Sequence, residues 1–297
     1  MRVTQRSVFD NFMRDVNKNR TEMAQIQSRL SSGYDVRYPS QDPVSFQRSR
    51  GISEDVREAD QFQNNINSGL RQSRLAQDAL DQSLDDLIEV KRILVQGTSD
   101  NYDEGDRENM ANQIAGIRDS LIATFNLSYG DRYLFAGTNS DQKPFELDAA
   151  AVGGVANNSN TTPLSIYAEA GVAIDISVTG TEIRDTESGD LFEVISTIEQ
   201  ALRDNDSATL NALIPASDDL INNVTDATAR LGNNINRMDF MFEQYESSKI
   251  TQKAEISKLI DTDFAQAISD LQKNEVAYKS AMAVHTRMFN NTLLNYL

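Results

Sequence analysis

Apolar residues recur at helical spacing near both ends of the chain. In the N-terminal segment they alternate three and four apart, with Asn19 filling one gap, at Phe9, Phe12, Val16, Met23, Ile26 and Leu30. Near the other end the same alternation, with Glu275 and His285 at two of its positions, runs through Phe264, Ile268, Leu271, Tyr278, Met282 and Phe289, and Tyr296 keeps the same register. Leu293, one residue out of this register, is included among the predicted interface residues. This spacing is typical of the seam of a coiled coil. It predicts a long helix at each end.

The C-terminal helix carries a second apolar stripe beside the first. It consists of Ala277, Ala281, Val284 and Met288. Two stripes indicate more than one neighbour, and stripes of this length are hard to bury in one monomer. We therefore predict that the two seams form an assembly interface with other subunits, and that the chain ends fold only against those neighbours.

The sequence predicts a bend between the first helix and the second. The helical pattern stops at Arg29, Leu30, Ser31, Ser32 and Gly33, and glycine favours the left-handed conformation that ends a helix. It resumes at Asp42 and Pro43, a capping residue followed by the residue preferred at the first helical position. These seven residues are the predicted bend motif.

Between the two terminal helices, the sequence pattern predicts further helices on both sides of a β-rich insertion. A second helix runs from Val44 to about Gln96 and a third through Met110–Phe125, whereas alternation at Ile174, Ile176 and Val178 indicates a strand. Pro215 is expected to start or kink a later helix.

The predicted fold is mainly α with a small β-rich insertion: a long antiparallel helical bundle or coiled coil built from both chain ends, plus a middle domain. Its segments are an N-terminal assembly helix and bend (1–40), a long helical hairpin (41–129), a β-rich middle domain (130–190), returning helices (191–258) and a C-terminal assembly helix (259–297).

Charge and hydropathy exclude several classes of partner. Lys and Arg number 28 against 45 Asp and Glu, a formal charge of -17 that repels nucleic acid and anionic membranes. No apolar run has the length of a bilayer span, and the polar N-terminus lacks the apolar centre of a cleavable signal peptide. We expect neither nucleic-acid nor membrane binding.

No group of residues indicates catalysis or metal binding. The chain has no cysteine, and its one histidine, His285, is expected to pack in the seam. The acidic residues Asp100, Asp103, Glu104 and Asp106 do not follow the EF-hand pattern and predict a solvated loop, and Gly153-Gly154 predicts a flexible turn. We predict no catalytic, metal or cofactor-binding residue and no enzyme activity.

Two motifs resemble the flagellin family. They are "RLSSGYDVRYPSQDP" at residues 29–43 and "LIDTDFAQAISDLQ" at residues 259–272, one near each end. Within that family, three features resemble the hook-filament junction proteins more than filament-forming flagellins: Asp42-Pro43, "RYLFAGT" at 132–138 and the ending "NTLLNYL". The resemblance implies a structural protein of the extracellular bacterial flagellum that joins the filament to the hook side.

The resemblance also implies partners. The partners within the flagellum are further copies of this chain in a ring or helical oligomer, flagellin, and the hook-side hook-associated protein. A cytoplasmic export chaperone is expected to bind the C-terminal helix before secretion. Export is expected to use the type III route without a cleavable signal peptide. Two alternatives remain open: a flagellin that forms the filament itself, and a secreted coiled-coil adhesin or effector.

Overall fold

Long helices dominate the structure, a computed structural model that describes residues 5–99 and 101–294. The α-helices are α1 Gln5–Ser32, α2 Pro43–Gly97, α3 Glu104–Phe125, α4 Gly180–Arg184, α5 Leu191–Arg203, α6 Ser207–Ile260 and α7 Phe264–Leu294. The prediction of a mainly α fold with a small β-rich insertion is confirmed. At 55 residues, α2 is roughly 80 Å long at 1.5 Å per residue.

The insertion contains short strands that pair only with their neighbours in sequence. They are β1 Ser128–Tyr129, β2 Arg132–Tyr133, β3 Phe145–Leu147, β4 Val155–Asn157, β5 Ser165–Glu169, β6 Val172–Asp175, β7 Asp185–Thr186 and β8 Gly189–Asp190. Each pair is antiparallel, and in β5–β6 Ile166 lies opposite Ile174. The strand predicted through Ile174, Ile176 and Val178 is shorter in the structure, where β6 ends at Asp175. Ile176 and Val178 lie beyond the strand but are buried.

The chain forms two compact units. Unit 1 combines residues 1–58 with 248–297, and unit 2 comprises residues 59–247. These units group the two chain ends together, whereas the five predicted segments follow the order of the sequence. The predicted segment boundaries stay a prediction.

Aromatic side chains form the centre of unit 2. Phe125, Phe135, Phe145 and Phe192 are each at most 1% exposed. The ring centroids of Phe125 and Phe145 lie 5.8 Å apart, and those of Phe145 and Phe192 lie 5.3 Å apart. The Asn126 side chain, just past the end of α3, donates to the Phe145 carbonyl at 2.7 Å and accepts from its N–H at 3.0 Å. These contacts hold β3 against α3 and α5.

The turn predicted at Gly153 is tightly packed rather than flexible. Gly153 has φ +67°, and a Cβ atom there would lie 2.4 Å from the backbone nitrogen of Glu193. Only glycine allows the β3–β4 connection to approach the start of α5 this closely.

Pro215 does not start a helix. Helix α6 begins eight residues earlier, at Ser207, where the Asp206 carboxylate accepts the N–H groups of Ala208 and Thr209 at 3.1 Å. This side chain satisfies N–H groups that have no partner inside the helix, so the start of α6 is set by Asp206.

Candidate assembly interface

The two terminal helices of the chain pack against each other in unit 1. Helix α1 lies against α7, with Val16 and Ile26 of α1 and Ala267 of α7 buried. The remaining predicted α1 residues are less covered: Phe12, Met23 and Leu30 are half-buried, and Phe9 is exposed. Part of each seam is thus covered by the other end of the same chain, as the predicted coiled coil of both chain ends implies, and the contact of the seams with other subunits stays a prediction.

Helix α7 keeps much of its predicted seam exposed. Leu271 and Tyr278 are half-buried, whereas Phe264, Ile268 and Met282 are 53%, 47% and 44% exposed. Tyr296 lies outside the described residues, as do the side chains of Phe289 and Leu293. Packing against α1 therefore covers one side of α7 and leaves apolar side chains beside it open to solvent.

His285 lies among aromatic rings. Its imidazole stacks on Phe12 with ring centroids 4.0 Å apart and an interplanar angle of 17°, and it lies 5.8 Å from Phe9. A flat, amphipathic ring at this position packs as an apolar residue would. This explains how a histidine occupies a seam position.

The bend has the local structure that its residues favour. Helix α1 ends at Ser32, and Gly33 takes φ +79° while its N–H donates to the Arg29 carbonyl at 2.8 Å. The guanidinium of Arg29 also pairs with Asp35 at 2.8 Å. The turn that ends α1 is therefore held by backbone and side-chain contacts. Leu30 and Ser31 lie in the last turn of α1, directly before this stop.

The second half of the bend caps α2. Pro43 is the first residue of the helix, and the Asp42 carboxylate accepts the N–H groups of Val44 at 3.0 Å and Ser45 at 3.1 Å. Hydrogen bonds from the hydroxyl and then the backbone N–H of Ser45 lower the pKa of Asp42 below its ordinary value of 3.8. The ionised carboxylate is the form that caps the helix.

This capping predicts a pH-dependent contribution to stability. Because the folded pKa lies below the unfolded one, ionised Asp42 stabilises the fold above about pH 3.8, and its contribution is lost as the pH falls through the folded pKa. We expect Asp42→Asn to lower the melting temperature at pH 7 and the difference from wild type to shrink below pH 3.8. Thermal melting between pH 7 and pH 3 measures this. Asp55→Asn, an exposed site on the same helix, is the control, and an Asp42→Asn difference that stays constant across the range contradicts the prediction.

The bend also pairs with the connection between α6 and α7. The N–H of Asp35 donates to the Ile260 carbonyl at 2.7 Å, and the N–H of Thr262 donates to the Gly33 carbonyl at 2.8 Å. Tyr34 and Asp261 form an antiparallel bridge between these bonds. The two sequence motifs are thus in direct backbone contact, which explains why they occur together.

The first turn of α7 continues this arrangement. The Asp263 carboxylate accepts the N–H groups of Ala265 at 2.9 Å and Gln266 at 3.0 Å, which caps α7. The Phe264 ring lies close to the bend, because a Cβ atom at Gly33 would be 3.9 Å from its Cζ. Sequence reasoning missed the contact between the motifs. Their co-occurrence was the available signal.

Unit 1 exposes apolar side chains beside the packed terminal helices. Among the described residues, no group of three His, Asp or Glu side chains is placed to hold a metal ion, and none of the described helices is long and apolar enough to cross a bilayer. Further exposed apolar side chains in unit 1 are Val44, Ile250, Val276 and Val284. They add to the exposed apolar residues Phe264, Ile268 and Met282 of α7.

Comparison with known proteins identifies matching families at both ends. The family model for the bacterial flagellin N-terminal helical region matches residues 5–140, and that for the C-terminal helical region matches residues 214–297. Together these two regions make up most of the chain.

Two curated relatives span nearly the whole chain. Flagellar hook-associated protein 3 of Salmonella typhimurium is 21% identical over 307 residues, which cover 97% of each chain. Flagellin of Bacillus subtilis is 21% identical over 297 residues, which cover 96% of this chain and 95% of that one. A solved structure of the flagellar junction protein of Legionella pneumophila has the same fold, with a TM-score of 0.62, 13% identity, and coverage of 72% of this chain and 100% of that one.

Proposed function

We propose that this chain, which belongs to the bacterial flagellin family, is the structural protein that joins the flagellar filament to the hook-associated protein on the hook side. The family and the full-length similarity to hook-associated protein 3 place it in the flagellum and favour a structural role. Asp42-Pro43, one of the sequence features that resemble the junction proteins more than filament-forming flagellins, supports the junction role over that of a filament subunit.

The proposal rests mainly on the exposed apolar side chains of α7. Unit 2 has its own buried core, whereas α7 in unit 1 exposes Phe264, Ile268 and Met282 although α1 already packs against it. Exposed apolar side chains on terminal helices favour burial against other subunits, at about 25 cal/mol per Å² of apolar surface. The predicted interface residues that remain exposed, Phe9, Phe264, Ile268 and Met282, are therefore proposed as contacts in a ring or helical oligomer of this chain.

The proposed partners follow from the position of a junction. One side contacts flagellin and the other contacts the hook-side hook-associated protein. Before assembly, a cytoplasmic chaperone holds the C-terminal helix, and the chain leaves the cell unfolded through the flagellar type III apparatus. A chain without cysteine suits this route, because no disulfide can form before it folds.

A second candidate function is a flagellin that forms the filament itself. The full-length similarity to the Bacillus subtilis flagellin favours it. The remaining alternative, a secreted coiled-coil adhesin or effector, gains no support from these similarities.

Deletion of the gene distinguishes the two flagellar roles. Without a junction, hooks still form but flagellin is not retained, so we expect non-motile cells with bare hooks in electron micrographs and soluble flagellin in the medium. If this chain were the filament subunit, no flagellin would be found in the medium. A plasmid copy of the wild-type gene is the control and should restore attached filaments. Cells that keep attached filaments after deletion would refute both flagellar roles.

A further inference from the structure

A cavity lies beside the bend of unit 1. It has a volume of about 410 Å³ and lies between the bend, the first turns of α2 and the end of α6. Its lining includes the apolar side chains of Val36, Phe46 and Ile260, the hydroxyl of Ser49, and the side chains of Arg37 and Arg50. The cavity is therefore lined by apolar side chains, serine hydroxyls and two arginines.

These two arginines have no acidic partner among the described residues, unlike others nearby. Arg48 pairs with Glu255, and Arg29 pairs with Asp35. The guanidinium of Arg37 lies 5.7 Å from the ring centroid of Tyr38, and Arg50 is exposed. In a chain with a formal charge of -17, these two unpaired cations line one cavity.

A complementary acidic stripe lies on α2 within unit 2. Asp78, Asp81 and Asp85 are spaced three and four apart, so they share one face of the helix, and all three are exposed. None of them forms an ion pair within the part of the chain that the structure describes. Partial burial, followed by the neighbouring carboxylates of Asp78 and Asp85, raises the pKa of Asp81. Repulsion along this stripe would be relieved by a cation from outside the chain.

We propose that the cavity beside Arg37 and Arg50 of one copy receives the acidic stripe Asp78, Asp81 and Asp85 of a second copy. Charge complementarity favours this occupant, because two copies of so acidic a protein repel each other unless basic groups meet acidic ones. The short aspartate side chains bring carboxylates close to guanidinium groups, which bind them through paired hydrogen bonds.

This contact joins different surfaces of the two copies. A contact of this head-to-tail kind repeats from copy to copy, and it generates a ring if the rotation closes and a helix if it does not. The inference rests on the proposed self-assembly of the chain and specifies one contact within it. Ion pairs at such a contact set register and partner choice more than affinity.

Cysteine cross-linking tests the contact, because the chain has no native cysteine. Two variants, Arg50→Cys and Asp81→Cys, are produced together in cells that lack the wild-type protein, and isolated flagella are oxidised. We expect a disulfide-linked dimer on a non-reducing gel for the mixture, and only a weak band for either variant alone. Pairing Arg50→Cys with Glu108→Cys, an exposed carboxylate on α3, is the matched control. A mixed dimer no stronger than this control overturns the inference.

Charge exchange gives a second, independent measurement. Arg50→Glu and Asp81→Arg are each expected to reduce swimming, and the double variant is expected to recover much of it, since the opposite charges then meet again. Melting curves of the purified variants establish that each folds. If the double variant swims no better than the weaker single one, the inference fails. Failure of the proposed function gives a different result, since cells lacking the protein would then keep attached filaments.

Discussion

Cells that carry Ile268→Asp are expected to lose filament attachment although the protein still folds. Ile268 lies on α7 with 47% of its side chain exposed. In the isolated chain the introduced carboxylate therefore stays in contact with solvent. In the proposed assembly the exposed half of this side chain is buried as well, which contributes about half of the roughly 1.5–3 kcal/mol that full burial of an isoleucine gives. A carboxylate without a partner there adds a desolvation cost of at least a few kcal/mol. The loss recurs at every subunit contact, so the expected effect is the absence of attached filaments.

A matched substitution separates this effect from general damage. Leu147→Asp changes an aliphatic side chain that is 69% exposed in β3 of unit 2, away from the proposed interface. We expect Leu147→Asp cells to swim normally and Ile268→Asp cells to shed flagellin, with similar melting temperatures for both purified proteins. Normal swimming of the Ile268→Asp strain would show that this face of α7 is not an assembly contact.

Phe145→Ala is expected to have the largest effect on the stability of unit 2. The ring is 1% exposed and contacts the rings of both Phe125 and Phe192, so its removal leaves a cavity between α3 and α5. Such a substitution costs about 3–5 kcal/mol, against a total stability of about 5–15 kcal/mol for a domain. For a unit of this size the melting temperature should fall by roughly 6–20 °C.

The control for Phe145→Ala lies two residues along the same strand. Leu147→Ala removes a side chain that points to solvent and should change stability by less than about 0.5 kcal/mol. Calorimetry or thermal circular dichroism of both purified variants measures the difference. Equal melting temperatures would mean that Phe145 is not part of the core that stabilises unit 2.

Local signals predicted most of the helical fold. The three-four spacing of apolar residues gave α2 to within a residue or two at each end, because a long helix repeats its pattern many times. The bend could also be predicted from the sequence, because Gly33 and Asp42 act on backbone groups only a few residues away. The structure confirms the fold class, and the matching family models confirm the resemblance to the flagellin family.

Contacts between distant segments left weaker signals. Phe145 lies in a strand of three residues, too short to show an alternating pattern, and its partners belong to two helices elsewhere in the chain. The bridge between Tyr34 and Asp261 uses backbone groups, which any residue type offers. The predicted interface residues are a separate case. Their spacing indicates an apolar stripe, but it does not indicate whether α1, α7 or another subunit covers that stripe. Their assignment to subunit contacts stays a prediction.

The pairing of the bend with the α6–α7 connection has a kinetic consequence. Gly33 and Thr262 are separated by most of the sequence, so this contact closes one of the longest loops in the molecule. Contacts of high sequence separation form late, because the entropy of loop closure must be overcome first. A chain that is delivered one end first therefore cannot complete unit 1 until its last helix has arrived. In the proposed export and assembly, the order in which the residues emerge sets the earliest moment at which a subunit can join its neighbours.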